Sequence, residues 1–309
     1  MAIAAPRKRR QDHLQDHPTN VRDRVHATVA LLERRGYSLP ARDLGRVCLG
    51  GPLPESQVVA AMDGAGLRER SGIVCSDGFS ARAGVAAARQ AGHSTAAESY
   101  LAETVVFART LAGLFPFIIA VSIAGSLASG GFAATDDVDL NLVVEDGFRH
   151  VAYVVLNAYG VLHALRHRGK PVDSLSARPL SPRVMTANLV LERFQCFPLA
   201  RTDKDMAYEL MASRPVVGAS FLAAVVVANP ELLRHFPQLA DRPAAHVLEP
   251  HRSLPGWLFP PLLDVPARLA GRAAWRYLQW TRRHSPEALA RVAFVRTTMR
   301  PYTLFDDAG

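Results

Sequence analysis

Apolar positions along this chain switch between helical and strand periods, and the switches mark out its parts. From Val21 onward, Val25, Val29 and Leu32, with Leu31 alongside, recur at helical spacing until Gly36. Two shorter helices are predicted over residues 40–47 and 54–62, with Pro40 at a helix start, where proline is tolerated. Residues 67–79 then read as a β-hairpin, with Gly72 between Leu67-Arg68-Glu69-Arg70 and Ile73-Val74-Cys75. Three short helices and a hairpin predict a winged-helix-like module over residues 21–80, behind a polar, basic tail at residues 1–20.

The Ala-rich segment 81–114 predicts connecting helices, one over 81–88 and another over 94–114. Past Pro116 the pattern becomes that of strands, at 118–123 and again at 140–144. A helix follows at 148–165, its apolar face formed by Val151, Val154, Val155, Leu162 and Leu165, and then a third strand at 184–192. Residues 115–200 are therefore expected to form a small mixed β-sheet core with helices. Residues 201–309 read as a helical C-terminal region. Thr202 to Asp205 supply an N-cap and first-turn acids, and Trp275, Tyr277 and Trp280 stand beside several arginines on a helix over 267–280. The expected fold class is α+β.

Composition adds constraints. In 309 residues Lys plus Arg (36) exceed Asp plus Glu (28), a formal net charge of +8 that suits phosphate-bearing partners. The helix expected at 54–62, PESQVVAAM, carries no Lys or Arg, which argues against specific DNA binding by the N-terminal module. Cys48, Cys75 and Cys196 are far apart and form no CxxC pair, so they read as reduced core thiols. Arg7 to Arg10 are not followed by an apolar segment, and no apolar run approaches the ~20 residues that span a bilayer; a cytoplasmic protein is expected. His13 and His17, and again His163 and His167, are four residues apart. The first pair lies in the tail. The second sits at a helix C-terminus, where a solvated cation is favoured.

The candidate chemistry lies between residues 121 and 144. An apolar run ends in Ala124-Gly125-Ser126, a small-residue turn follows, and Asp137-Val138-Asp139 opens the next apolar run. On a strand, residues two apart share a face, so Asp137 and Asp139 present paired carboxylates that invite a divalent cation. This arrangement resembles the DNA-polymerase-β-like nucleotidyltransferase superfamily, whose mark is Gly-Ser after one strand and Asp-x-Asp opening the next. The resemblance implies Mg²⁺ (or Mn²⁺) on Asp137 and Asp139, and an NTP whose phosphates are gripped at Gly125 and Ser126. It also implies transfer of a nucleoside monophosphate to an acceptor (small molecule, protein or RNA end) with release of pyrophosphate.

The family also takes a third carboxylate from a later strand. Alternation here puts Thr186, Asn188, Val190 and Glu192 on one face, with the amide Asn188 as the candidate third metal ligand, and with Glu192 and Asp173 as substitutes. The flanks Arg214-Pro215-Val216-Val217-Gly218 and Ala228-Asn229-Pro230 are similar to a group of bacterial proteins that join a winged-helix-like front to such a core. The missing acid motivates an alternative, a nucleotide-binding regulatory protein with lost or weak catalysis. A winged-helix DNA-binding regulator is the third reading.

Overall fold

The structure is a computed structural model that describes residues 20–170, 184–241 and 253–305. Its chain is mixed α and β. Three helices come first: α1 (Val21–Glu33), α2 (Ala41–Arg46) and α3 (Glu55–Met62). An antiparallel hairpin follows, β1 (Leu67–Arg70) and β2 (Ile73–Ser76). Asn20 caps α1 by accepting from the Asp23 amide at 2.8 Å. The remainder of the expected tail lies outside the described residues.

The two helices expected over 81–114 are one. Helix α4 (Ser80–Leu114) runs unbroken for 35 residues. Gly84 and Gly92, both with open space around them, each cost about 1 kcal/mol of helix propensity. That is less than the helix gains by burying Phe107, Ala108, Leu111 and Ala112 against the sheet.

The central sheet has four strands: β3 (Ile118–Ile123), β4 (Val138–Val144), β5 (Met185–Glu192) and β6 (Arg214–Val217), in the order β5-β4-β3-β6. Strands β4 and β5 are parallel; β3 is antiparallel to both β4 and β6. Between β3 and β4 lies the short helix α5 (Gly125–Ser129), and α6 (Arg149–Ala164) connects β4 to the segment before β5. Helix α6 has no side-chain cap of its own. Asp264 supplies one from a distance, accepting from the His150 and Val151 amides at 2.7 and 3.0 Å.

One face of the sheet is apolar throughout. Val138, Leu140, Leu142 and Val144 of β4 pack with Val121 and Ile123 of β3, Val190 of β5, and the helical layer of α4 and α6. The other face changes character along its length. At its far end Ala120, Val143, Leu189 and Leu191 join a core that includes Val29, Leu32, Met206, Tyr208 and Phe236. At its near end stand Asp139, Asn141, Thr186 and Asn188. The N-terminal helices thus pack beside this second face, together with α7 (Lys204–Ala212), where Arg34 and Arg35 pair with Asp205.

Strand β6 and helix α8 (Ala219–Ala228) divide the segment 214–228. Pro215 is tolerated because β6 is an edge strand. Gly218, at φ +67°, turns the chain against β3 so closely that a Cβ would stand 2.8 Å from that of Ala120. Asn229 is buried and ties three backbones together, donating to Cys196 and Val225 carbonyls and accepting from the Leu199 amide. The Arg-Pro-x-x-Gly and Ala-Asn-Pro patterns therefore have structural roles. The C-terminal region adds α9 (Glu231–His235), α10 (Asp264–Arg282) and α11 (Pro286–Met299). On these, Arg283 stacks over Trp280 at 4.2 Å and Arg296 faces Trp275 at 5.9 Å, so arginine and aromatic groups engage one another. Among the described residues no helix is long and apolar enough to cross a membrane.

Candidate functional site

The turn after β3 and the start of β4 meet as adjacent antiparallel strands must. Ser122 pairs with Asn141 and Ile123 with Leu140, and the Ala124 amide donates to the Asp139 carbonyl at 2.8 Å. Gly125 therefore faces Asp139 directly. A Cβ on Gly125 would lie 3.0 Å from the Asp139 Cγ and closer still to Oδ2, and its φ of +61° disfavours any other residue. The close approach that glycine permits here is that of a carboxylate to the backbone. Helix α5 is five residues long with no side-chain cap, too short for a developed dipole, so what the turn offers a ligand is amides.

Ser126 is engaged by a residue that the sequence did not single out. Its hydroxyl donates to Asp136 Oδ2 at 3.0 Å, and the same carboxylate pairs with Arg89 of α4 and accepts from the Ala133 amide at 3.2 Å. Lys170 Nζ adds a hydrogen bond to the Asp136 carbonyl at 2.6 Å. Asp136 is thus a structural buckle that holds the 125–136 turn on α4, and the half-buried Asp137 and Asp139 remain as the acids; Asp137 stands one residue before β4 rather than on it, because the strand begins at Val138.

Among the carboxyls of the described residues, Asp139 carries the clearest electrostatic signature. Loss of solvent around the carboxyl raises its pKa most, the neighbouring Asp137 charge raises it further, and Glu209 adds to both; the Thr186 hydroxyl, 3.1 Å from Oδ1, and the charge of Arg282 act the other way. The net result is a carboxyl pushed up to about 8. Such a group, crowded by like charge, holds a proton until a cation replaces it.

Strand β5 supplies the neighbours, with a correction to the expected face. Ala187 pairs with Leu140 but Leu189 pairs with Asn141, so Asn188 is an extra residue in a β-bulge. The bulge shifts the alternation by one. Thr186 and Asn188 share the acidic face, whereas Leu189 and Leu191 follow on it and Val190 and Glu192 turn to the other side. Glu192 accepts from the Gly147 amide at 2.7 Å and takes part in a capping box with Gln195. It is no substitute for a third acid, because its carboxylate is spent at the opposite end of the strand. Asp173 lies outside the described residues.

Asn188 does not stand alone. Its amide nitrogen donates to Asn141 Oδ1 and to Glu209 Oε1, each at 2.9 Å, and Asn141 Nδ2 donates to the same Glu209 oxygen at 2.9 Å. Glu209 reaches over the sheet from α7, and no local sequence pattern announces it. Asn141 was legible, since it lies two residues beyond Asp139. Tyr37, just past α1, hydrogen-bonds Tyr208 of α7; burial raises the pKa of both hydroxyls, so both stay protonated. The N-terminal module thereby reaches the rim of this polar group.

No family model matches the chain, and no curated protein or solved structure matches it. The case for the site rests on its chemistry. Two hollows of the surface lie elsewhere, one lined by Arg149, His150 and Arg300, the other by Phe117, Phe148 and Phe259, and neither contains Asp137 or Asp139. The crowded acids outweigh concavity: in the first hollow the His150 imidazole is already paired with Asp264, and the second is lined mainly by apolar groups. Among the described residues, the three ligand-type side chains that converge within 4.8 Å are not these acids but Glu103, His163 and His167.

Proposed function

We propose that the chain is a divalent-cation-dependent nucleotidyltransferase. It binds an NTP at the acidic face and transfers the nucleoside monophosphate to an acceptor oxygen, with pyrophosphate leaving. The observation that carries this reading is Asp139, which lies against Gly125 beside Asp137 with its carboxyl pushed up to about 8. The surrounding donors are oxygens: two carboxylates, the Thr186 hydroxyl and the carbonyl of Asn188, whose nitrogen is already engaged. That set suits Mg²⁺ or Mn²⁺ rather than a softer ion.

Asp137 and Asp139 would hold the cation, with Asn188 beside them. When bound, it supplies charge neutralisation for the triphosphate. The chain's own residues do the positioning. Thr186 orients the Asp139 carboxylate, Asn141 and Asn188 hold Glu209 over the face, and the amides of the Gly125–Ser126 turn would take phosphate oxygens. Arg282, whose charge acts on Asp139, would offset phosphate charge. The acceptor is not written in these residues.

The test is incubation with each α-labelled NTP, Mg²⁺ and a panel of hydroxyl acceptors. Label transfer or pyrophosphate release that vanishes in Asp137→Ala supports the enzyme. A second reading, a nucleotide-binding regulator, is favoured by the amide at Asn188 and by a Glu209 oxygen already occupied by two amides. Nucleotide binding with no turnover under any acceptor condition selects it. No nucleotide binding at all ends both.

A further inference from the structure

Helices α4 and α6 form the layer on the apolar face of the sheet, opposite Asp139. Between them three side chains converge. His163 lies in the last turn of α6 and His167 in the turn that follows, and four-residue spacing puts both imidazoles on one side of the helix. Glu103 faces them from α4. Its Oε1 is 3.1 Å from His163 Nε2 and 2.6 Å from His167 Nε2, and the two rings are 4.9 Å apart between centroids.

The shell around them is apolar. Phe107 meets the His163 ring edge-on at 5.2 Å, and Tyr100 stacks on His167 at 6.4 Å. His163 is nine-tenths buried, so its side of the site is closed to bulk water. Its Nδ1 is buried with no hydrogen-bond partner, so nothing on that side fixes the ring; its orientation comes from convergence on Glu103.

We infer that Glu103, His163 and His167 form a binding site for a divalent transition-metal ion of the Zn²⁺ class, with three protein ligands and one open coordination position. Two imidazole nitrogens and one carboxylate oxygen are the donors that Zn²⁺ takes and Mg²⁺ does not. Bonds of about 2.0–2.1 Å in a tetrahedral site separate the donors by roughly 3.3 Å. The 3.1 Å pair is nearly there, and the 2.6 Å pair opens by less than 1 Å if the partly exposed Glu103 carboxylate rotates. An ion here staples the end of α6 to α4. Three residues past His167, Lys170 holds the Asp136 carbonyl beside the acidic turn, so the staple also steadies the loop that carries Asp137.

The experiment uses the full chain, stripped with a chelator and titrated with ZnCl₂ or CoCl₂. Expected are one equivalent bound at this site, visible d–d absorption with Co²⁺, and a rise in melting temperature that is lost in His167→Gln. His167→Gln and Glu103→Gln should each weaken binding by at least ~10-fold. Asp139→Asn, and the tail variant His13→Gln/His17→Gln, should leave it unchanged. His167 is partly exposed, so His167→Gln remains informative if His163→Gln does not fold. No absorption and no melting shift at ~100 µM metal, or binding that persists in His163→Gln/His167→Gln, overturns the assignment.

Discussion

The acidic face and the Glu103 trio lie on opposite sides of one sheet and solve the same problem in opposite ways. At the trio, a carboxylate meets two imidazoles that can each donate to it, so the groups satisfy one another before any ion arrives. At the acidic face, Asp137, Asp139 and Glu209 share a sign, and amide and hydroxyl donors compensate only in part. Loss of solvent, and repulsion after it, are stored there as a raised pKa. The difference teaches that a converged ligand set and an unmet demand for charge are separate observations. The trio has the first and the acidic face the second.

The sharpest way to break this comparison is at Gly125. Gly125→Val places a β-branched residue at φ +61° and drives its Cβ into the Asp139 carboxylate. A loss of about 2–4 kcal/mol in unfolding free energy is expected, with nucleotide binding abolished. Wild-type stability by denaturant titration would show that the contact with Asp139 is not needed.

Next in size is Asp139→Asn. Because the folded-state pKa is raised above the unfolded value, the folded protein holds this proton more tightly. Wild-type stability therefore falls as pH rises from ~4 towards ~8 and then levels off. The side chain keeps some solvent access, so only part of the shift counts. The variant should gain roughly 1–3 kcal/mol at pH 8–9 and nothing near pH 4. It should also lose any stabilisation by Mg²⁺. Melting curves across pH decide it, and a less stable variant at pH 8 would make the ionised carboxylate structural.

Ser126→Ala removes one hydrogen bond to Asp136, which keeps Arg89 and the Ala133 amide; a cost of ~0.5–1.5 kcal/mol in thermal unfolding is expected. Glu209→Gln keeps an acceptor for Asn141 and Asn188 but deletes a charge. The Asp139 pKa should move down, and Mg²⁺-nucleotide affinity should weaken roughly two- to five-fold, as calorimetry would show. Glu192→Gln should change neither binding nor turnover, because its role is to accept from Gly147; an effect as large as that of Asp137→Asn would contradict the strand register drawn here.

Much of this molecule was legible without coordinates. The strands at 118–123 and 184–192 and the helices of the N-terminal module follow from apolar period and from Gly and Pro punctuation, which act over a few residues. The approach of Gly125 to Asp139 was equally local, since one short connection joins two strands that pair, whereas Ser126 turned to Asp136. The phase of β5 was not local. Where the bulge falls depends on pairing with β4, and it separates Asn188, which stays with the acids, from Glu192, which does not. The continuity of α4 was decided by the sheet it covers, which outweighed two glycines. Glu209 and the Glu103 trio required packing to bring together helices distant in sequence. Period and turn chemistry report what a residue's near neighbours impose; which distant carboxylate meets which amide or imidazole is set by how the layers pack.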